Sequence, residues 1–214
     1  GAVQLAAVAT FAARWLIPRL GGLRARHPQV VVHIETRTRP FLFADTAFDA
    51  ALYAGTPEQL QRWAGTQATR LLTEVTLPVC APALLGGRTA PGTADALVDL
   101  PLLQQSTRPF AWRQWFEAQG LAVAQALSGP RYELFSMTIS AAIHGQGLAL
   151  VPRLLIEDEL ARGDLVVACN QPLLDERAYY LVTPMRDTEP AALRDFRQWL
   201  VEVTGTDQTV SPPS

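Results

Sequence analysis

Strand-like and helix-like segments alternate along this chain, and that alternation limits the folds it can adopt. Residues 3–9 form an apolar run typical of a buried strand, and a helix-like segment with one apolar stripe follows. The stripe consists of Ala12, Leu16, Leu20 and Leu23. Pro18 lies inside this segment, so we expect a kink or a restart of the helix there, because proline removes a backbone donor. Further strand-like runs at 29–36 and 49–54 predict an α/β fold with largely parallel strands.

The same alternation continues towards the C-terminus. Strands are expected at 71–79, 102–105, 131–135, 147–151, 165–168 and 178–183. The last helix carries an apolar stripe of Leu193, Phe196, Leu200 and Val203. Two β-α-β systems within roughly 200 residues predict two small lobes. Pro78 and Pro184 lie beside extended segments, and a crossing of the chain near each would make the first lobe discontinuous.

Composition excludes several classes of protein. Hydrophobic residues make up 49% of the 214 residues, which suffices for a filled core and is too many for a disordered chain. No apolar run approaches the roughly 20 residues of a membrane helix. The 18 basic and 20 acidic residues leave a net charge of −2, so nothing indicates that this chain itself grips nucleic acid. Cys80 and Cys169 are too few for a disulfide framework or a zinc site, and we expect buried, reduced thiols.

The sequence contains no motif of an enzyme active site. A serine nucleophile elbow, a phosphate-binding P-loop, a paired-histidine zinc motif and a glycine-rich dinucleotide motif are all missing. His27, His33 and His144 stand apart in the sequence, and their spacing does not indicate a cluster of metal ligands. We therefore predict no catalytic residue, no metal and no cofactor.

Three predicted strands end in a small polar residue at, or just before, an expected helix start. These residues are Thr10, Ser106 and Ser136. Serine and threonine are preferred helix N-caps, so capping alone explains each of them singly. Together they favour a binding site, because open α/β sheets bind ligands outside the carboxyl ends of their strands. Helix N-termini present N–H groups and a positive dipole end there, which favours a small ligand with an anionic group such as a carboxylate.

Charged and apolar residues beside these strand ends are further candidates. Arg37 and Arg39 follow the second strand, and either guanidinium could hold a carboxylate or lie in a solvated loop. The same two interpretations apply to Arg108. Phe135 and Met137, on either side of the last candidate serine, would form the apolar wall of a pocket or belong to the core.

Six motifs, taken in order, resemble those of one protein family. They lie at residues 11–20, 48–55, 78–82, 112–116, 141–152 and 196–200. Each motif alone is common, but their order and spacing resemble the effector-binding domain of LysR-type transcriptional regulators over residues 3–203. The Trp-Leu-x-Pro-Arg-Leu and Trp-x-x-Trp-Phe features are similar to those of the branch that contains glycine-cleavage activators and β-lactamase regulators.

The resemblance implies two Rossmann-like lobes joined by two crossover strands, a type 2 periplasmic-binding-protein-like fold. The first lobe would comprise 1–77 and 182–205, the second lobe 78–181, and a flexible tail 206–214. In the full-length protein an upstream winged helix-turn-helix, absent from this chain, would read DNA. Homodimers or tetramers would transmit the ligand-bound state to the DNA-binding domains. We expect the chains to pair through the edge strand at 29–36.

The resemblance also implies a ligand site and a role. The effector-binding residues would be Thr10, Phe11, Thr36, Arg37, Ser106, Phe135, Ser136 and Met137. They would hold a small carboxylate or amino-acid-like metabolite between the lobes of a cytoplasmic regulator that is neither an enzyme nor a membrane protein. Three alternatives stay open: a solute-binding protein of a transport system, an enzyme on a similar scaffold, and a regulator that responds to protein contacts with an empty cleft. The first would carry an export signal, and the opening Gly-Ala-Val-Gln is not one.

Overall fold

The computed structural model describes residues 1–208, which form a mixed α/β fold of ten strands and seven α-helices. The strands are β1 (Ala2–Ala7), β2 (Val31–Thr36), β3 (Ala50–Gly55), β4 (Thr66–Thr73), β5 (Thr76–Cys80), β6 (Gln104–Gln105), β7 (Arg131–Tyr132), β8 (Ala149–Pro152), β9 (Val166–Val167) and β10 (Ala178–Pro184). The helices are α1 (Ala9–Phe11), α2 (Ile17–Arg26), α3 (Pro57–Gln61), α4 (Ala111–Ala118), α5 (Phe135–Ile143), α6 (Glu157–Arg162) and α7 (Ala191–Gln208). No helix among these residues combines the length and apolar character that crossing a membrane requires.

Contacts divide the chain into two compact units. The first contains Gly1–Glu74 and the segment that begins at Glu176, and the second contains Val75–Asp175. The expected boundary after residue 181 differs from this division, because β10 pairs along its length with β3 and β4 and so belongs to the first unit. The tail expected at 206–214 starts inside α7, and residues 209–214 lie outside the described part of the chain.

The first unit is built on a five-stranded sheet in the order β2-β1-β3-β10-β4. Strand β1 runs parallel to β2 and β3, as predicted, whereas β10 runs antiparallel to β3 and β4. The antiparallel pairs arise because β4 leads the chain out of this unit and β10 brings it back. On the sheet, α7 buries the side chains of Leu193, Phe196, Trp199 and Leu200.

The helical segment after β1 is continuous from Ala9 to Arg26 but changes its winding. A π-helical turn at Ala12–Leu16 joins α1 to α2, and the N–H of Ile17 bonds to the carbonyl of Ala12. Pro18 follows at once and has no N–H to donate to the preceding turn. The irregularity expected at Pro18 therefore takes the form of a π turn, which widens the helix where one bond of the regular ladder is missing.

The second unit holds a three-stranded antiparallel sheet, β8-β5-β9, and a separate parallel pair, β6-β7. Helix α4 packs its aromatic residues Trp112, Trp115 and Phe116 into the core of this unit. Both indole N–H groups find carbonyl acceptors, that of Trp112 on Leu103 at 2.9 Å and that of Trp115 on Gln171 at 2.8 Å. These rings therefore anchor α4 in the core of the second unit.

Both cysteines are buried and free in the second unit, as the sequence predicted. Burial raises the pKa of the Cys80 thiol to about 11 and also raises the pKa of Cys169. Because the thiolate is the reactive form, both side chains are inert packing groups in the native protein.

Candidate functional site

The parallel strands β6 and β7 bring two of the predicted site segments to one edge of the second unit. Gln105 lies opposite Tyr132, and Ser106 extends the pairing by donating its backbone N–H to the Tyr132 carbonyl at 2.8 Å. Helix α5 starts at Phe135, shortly after β7 ends. Ser106 and the first turn of α5 therefore follow the carboxyl ends of adjacent parallel strands, which is the position predicted for a ligand site.

The candidate hydroxyl residues do not cap the helices. The N-caps of α1, α4 and α5 are Val8, Phe110 and Leu134, and none makes a side-chain capping bond. Thr10 and Ser136 lie inside the first turns instead. The helix start expected directly after Ser106 is wrong, since the chain turns there first and α4 begins only at Ala111. Capping thus explains none of these three residues.

The first turn of α5 presents side chains to solvent. Ser136 and Met137 are exposed, Met137 by 49%, and Phe135 is half-buried. The core interpretation therefore does not hold for Met137. Along α5 a groove of about 400 Å³ is lined by Tyr132, Ser136, Met137, Ser140, Ala141, His144 and Gln146. Most of these lining residues were not among the predicted site residues, although Ser136, Ser140 and His144 recur every fourth residue and so share one helix face.

Arg108 is buried in the second unit, with 9% of its surface exposed, so the solvated-loop interpretation is wrong for this residue. Its guanidinium carbon lies 4.9 Å from the ring centroid of Phe135, in cation–π contact. A positive charge is thereby held against the first residue of α5.

Thr10 and Phe11 are buried in the first unit and belong to its core. The ring of Phe11 stacks on Trp15 at 5.0 Å and on Tyr179 of β10 at 4.2 Å, and 1% of the residue is exposed. Thr10 is 5% exposed. The Phe11 ring thus has aromatic neighbours on two sides, and the contact of Thr10 and Phe11 with a ligand stays a prediction.

Thr36 and Arg37 are exposed at the carboxyl end of β2, where Thr36 lies opposite Ala7 of β1. The Arg37 guanidinium donates to the Thr36 carbonyl at 2.8 Å and lies 5.0 Å from the ring centroid of Phe48. Part of its hydrogen-bonding capacity is thus used within its own segment. Arg39 is also exposed, which agrees with the solvated-loop interpretation for both arginines.

Among residues 1–208 no group of three or more histidine, cysteine or acidic side chains is arranged to hold a metal ion. In the α5 groove the one imidazole, that of His144, has its Nδ1 atom 2.8 Å from the carbonyl of Ser140. The chemistry of the groove is therefore that of hydroxyls, an imidazole, an amide and a thioether.

Comparison with known proteins gives consistent results. Residues 1–205 match the family model described as the LysR substrate binding domain. The glycine cleavage system transcriptional activator of Escherichia coli K12 is 31% identical over 208 residues, covering 97% of this chain and 67% of that protein. The HTH-type regulator TrpI of Pseudomonas aeruginosa is 34% identical over 194 residues, with 89% and 63% covered. The solved effector domain of AmpR from Pseudomonas aeruginosa matches with a TM-score of 0.83 and 25% identity, over 97% of this chain and 96% of that one.

Proposed function

The chain belongs to the LysR substrate-binding domain family, and from that premise we propose that it senses a small anionic metabolite at the β6-β7 edge of its second unit. The predicted fold class, the type 2 periplasmic-binding-protein-like fold, is confirmed by the likeness to AmpR effector domains. Its relatives are transcriptional regulators and not enzymes. The alternative of a transport solute-binding protein is not favoured by these relatives.

One observation carries the proposed site: Ser106 and the exposed first turn of α5 follow neighbouring parallel strands. The hydroxyls of Ser106 and Ser136 can donate or accept hydrogen bonds, and Met137 adds apolar surface. The N-terminus of a nine-residue helix and the nearby guanidinium of Arg108 both favour negative charge. A carboxylate or an amino acid is the simplest ligand that complements these groups of the protein.

Thr36 and Arg37 remain candidates in the first unit, because they are exposed at the carboxyl end of a parallel strand. Their contribution is proposed as an accessory contact, since Arg37 already bonds to its own segment. Thr10 and Phe11, which the resemblance also assigns to the ligand site, are buried in this unit and stay proposed ligand-binding residues.

The proposed response is a shift of population between two conformations of the domain. A ligand changes such an equilibrium only through its difference in affinity for the two states. A coupling of roughly 1–3 kcal/mol is typical and sufficient. In the complete regulator, we propose, a homodimer or tetramer carries this bias to DNA-binding domains outside this chain.

The site is tested by substitution at the first turn of α5. A panel of amino acids and small carboxylates is screened by thermal shift, since a ligand of the native state raises the melting temperature. Ser136→Trp is expected to weaken the best ligand by at least about tenfold in Kd, because the indole fills the space beside the helix start. Its melting temperature should stay near that of the parent chain, since Ser136 is exposed.

Ser128→Trp is the matched control, since Ser128 is also an exposed serine of the second unit but lies before β7. It should bind the ligand normally. Normal calorimetric affinity in Ser136→Trp would place the binding site elsewhere.

A further inference from the structure

The N-cap residue of helix α5 makes no side-chain capping bond. This residue, Leu134, has no side chain that can accept a hydrogen bond, and Ser136 in the first turn is exposed. An uncapped helix start leaves N–H groups without intrahelical acceptors and frays more readily than a capped one. Contacts from outside the helix therefore contribute to the order of the turn that carries the proposed site.

A side chain from β6 makes such contacts. The Nε2 group of Gln105 donates to the carbonyl of Glu133 at 2.6 Å, just before the helix. Its Oε1 atom accepts a bond of 2.7 Å from the hydroxyl of Thr138, one turn inside the helix. This bond is shorter than the 3.4 Å from the same hydroxyl to the carbonyl of Leu134. The single side-chain amide of Gln105 thus bonds to one residue just before the helix and to another within its first turns.

Both side chains are shielded from water, with 6% of Gln105 and 1% of Thr138 exposed. Hydrogen bonds of this kind are costly to leave unmade, because a buried polar group that loses its partner cannot turn to solvent. The buried hydrogen bonds of Gln105 and Thr138 therefore restrict the conformations that the start of α5 can adopt.

The turn after β6 makes a third contact with the helix. The backbone N–H of Arg108 donates to the carbonyl of Gln105 at 2.9 Å, and the Arg108 guanidinium lies over Phe135. Ser106 is the residue next to Gln105 in this same turn. The segment that carries one candidate hydroxyl therefore also holds the helix turn that carries the other, Ser136.

We propose that Gln105 and Thr138 are positioning residues for the effector site: they set the first turn of α5 relative to Ser106 and thereby the length of ligand that fits. The proposal rests on the function proposed above for the same edge. Neither residue needs to touch the ligand. Because they determine a spacing, their loss alters the preference between ligands and not only the affinity for all of them.

The local effect is measured by amide hydrogen exchange on the whole chain. Thr138→Val keeps the shape of the side chain and removes its hydroxyl. Exchange in residues 133–138 should become about five- to tenfold faster, as expected for the loss of one buried hydrogen bond. Thr138→Ser keeps the hydroxyl and should restore slow exchange. If Thr138→Val does not fold, Gln105→Asn, which shortens the amide by one methylene, takes its place.

Thr204→Val is the matched control. Thr204 is equally buried, at 2%, and its hydroxyl bonds to the carbonyl of Leu200 within α7 of the first unit. It should leave exchange in residues 133–138 unchanged. If Thr138→Val accelerates exchange there no more than Thr204→Val does, or accelerates it equally throughout the second unit, the positioning role is overturned.

The specificity effect is measured by calorimetric titration with glycine and glutamate, two amino acids of different length. If the wild-type chain binds both amino acids, Thr138→Val should change the ratio of its affinities for glycine and glutamate by at least threefold. An equal loss for both would contradict the proposed spacing role. If wild type binds neither these probes nor any member of the wider panel, the proposed function fails, whereas the exchange result still decides whether Gln105 and Thr138 position the helix.

Discussion

At the scale of residues, side-chain burial separates the predicted site into two groups. Ser106, Ser136 and Met137 are exposed and can meet a ligand, whereas Thr10 and Phe11 are enclosed in the first unit. Their sequence signals were alike, since both sets follow a strand and precede a helix. The difference comes from their neighbours in space, which cover Thr10 and Phe11 and leave the three residues of the second unit exposed to solvent.

An ion pair between α7 and the residues just before it gives a prediction at the same scale. Arg197 donates to both carboxylate oxygens of Glu189, at 2.9 and 2.5 Å, and this bond lowers the pKa of Glu189. The pair is partly exposed, so Glu189→Gln should reduce the free energy of unfolding by only about 0.5 kcal/mol at pH 7. Urea denaturation measures the change.

The pH dependence of that difference follows from the direction of the pKa shift. A folded-state pKa below the unfolded value means that the stabilisation is complete above about pH 4.3 and is lost as pH falls through the folded pKa. Wild type and Glu189→Gln should therefore converge in stability as the pH falls below the folded-state pKa of Glu189. Glu202→Gln, which removes the more exposed pair with Arg26, should change stability less at pH 7. A difference that grows towards low pH would contradict the assignment.

At the scale of elements, the β6-β7 pair depends on one glycine. Gly129 has φ +105°, and a Cβ atom there would lie 2.0 Å from the carbonyl oxygen of Leu102. Strand β7 follows directly and leads into α5, so this close approach brings the candidate site together.

Gly129→Ala is expected to lower the free energy of unfolding by about 3 kcal/mol or more, since backbone strain and overlap add. Gly120→Ala is the control: its φ is also positive, at +75°, but no atom lies within 4 Å of the added Cβ. It should cost about 1 kcal/mol. Equal unfolding free energies for the two variants would show that the close approach to Leu102 is relieved without cost.

The elements also show where local sequence rules stop. Helical spacing predicted the segment after β1 and α7, because an apolar stripe depends only on nearby residues. Local rules also offered capping as one interpretation of Ser136, and that interpretation is wrong because Leu134 is the N-cap of α5. The start of that helix is held by Gln105, a residue distant in the sequence, and no local pattern signals such a partner.

At the scale of the whole molecule, the five-stranded sheet of the first unit ends in the edge strand β2. Val31 in this strand is 52% exposed, and an apolar edge is a surface on which a second chain can pair. This agrees with our proposal that the segment 29–36 contributes to a dimer.

Val31→Lys should weaken self-association by at least about tenfold in Kd, because a charge on an edge strand opposes pairing. Sedimentation equilibrium measures the effect. Val201→Lys is the control, since Val201 is similarly exposed, at 43%, on α7. If both variants associate like the parent chain, pairing does not use β2.

The sequence by itself determined the class of fold, the succession of strands and helices, the family and the absence of an enzyme motif. These properties depend on the spacing of apolar residues and on short motifs, and both are local. Only the tertiary structure decided that Phe11 stacks on Tyr179, that Arg108 is buried against Phe135 and that Gln105 bonds to Thr138. Each is a contact between residues far apart in the chain, and periodicity reports which face of an element is buried without naming the partner that covers it.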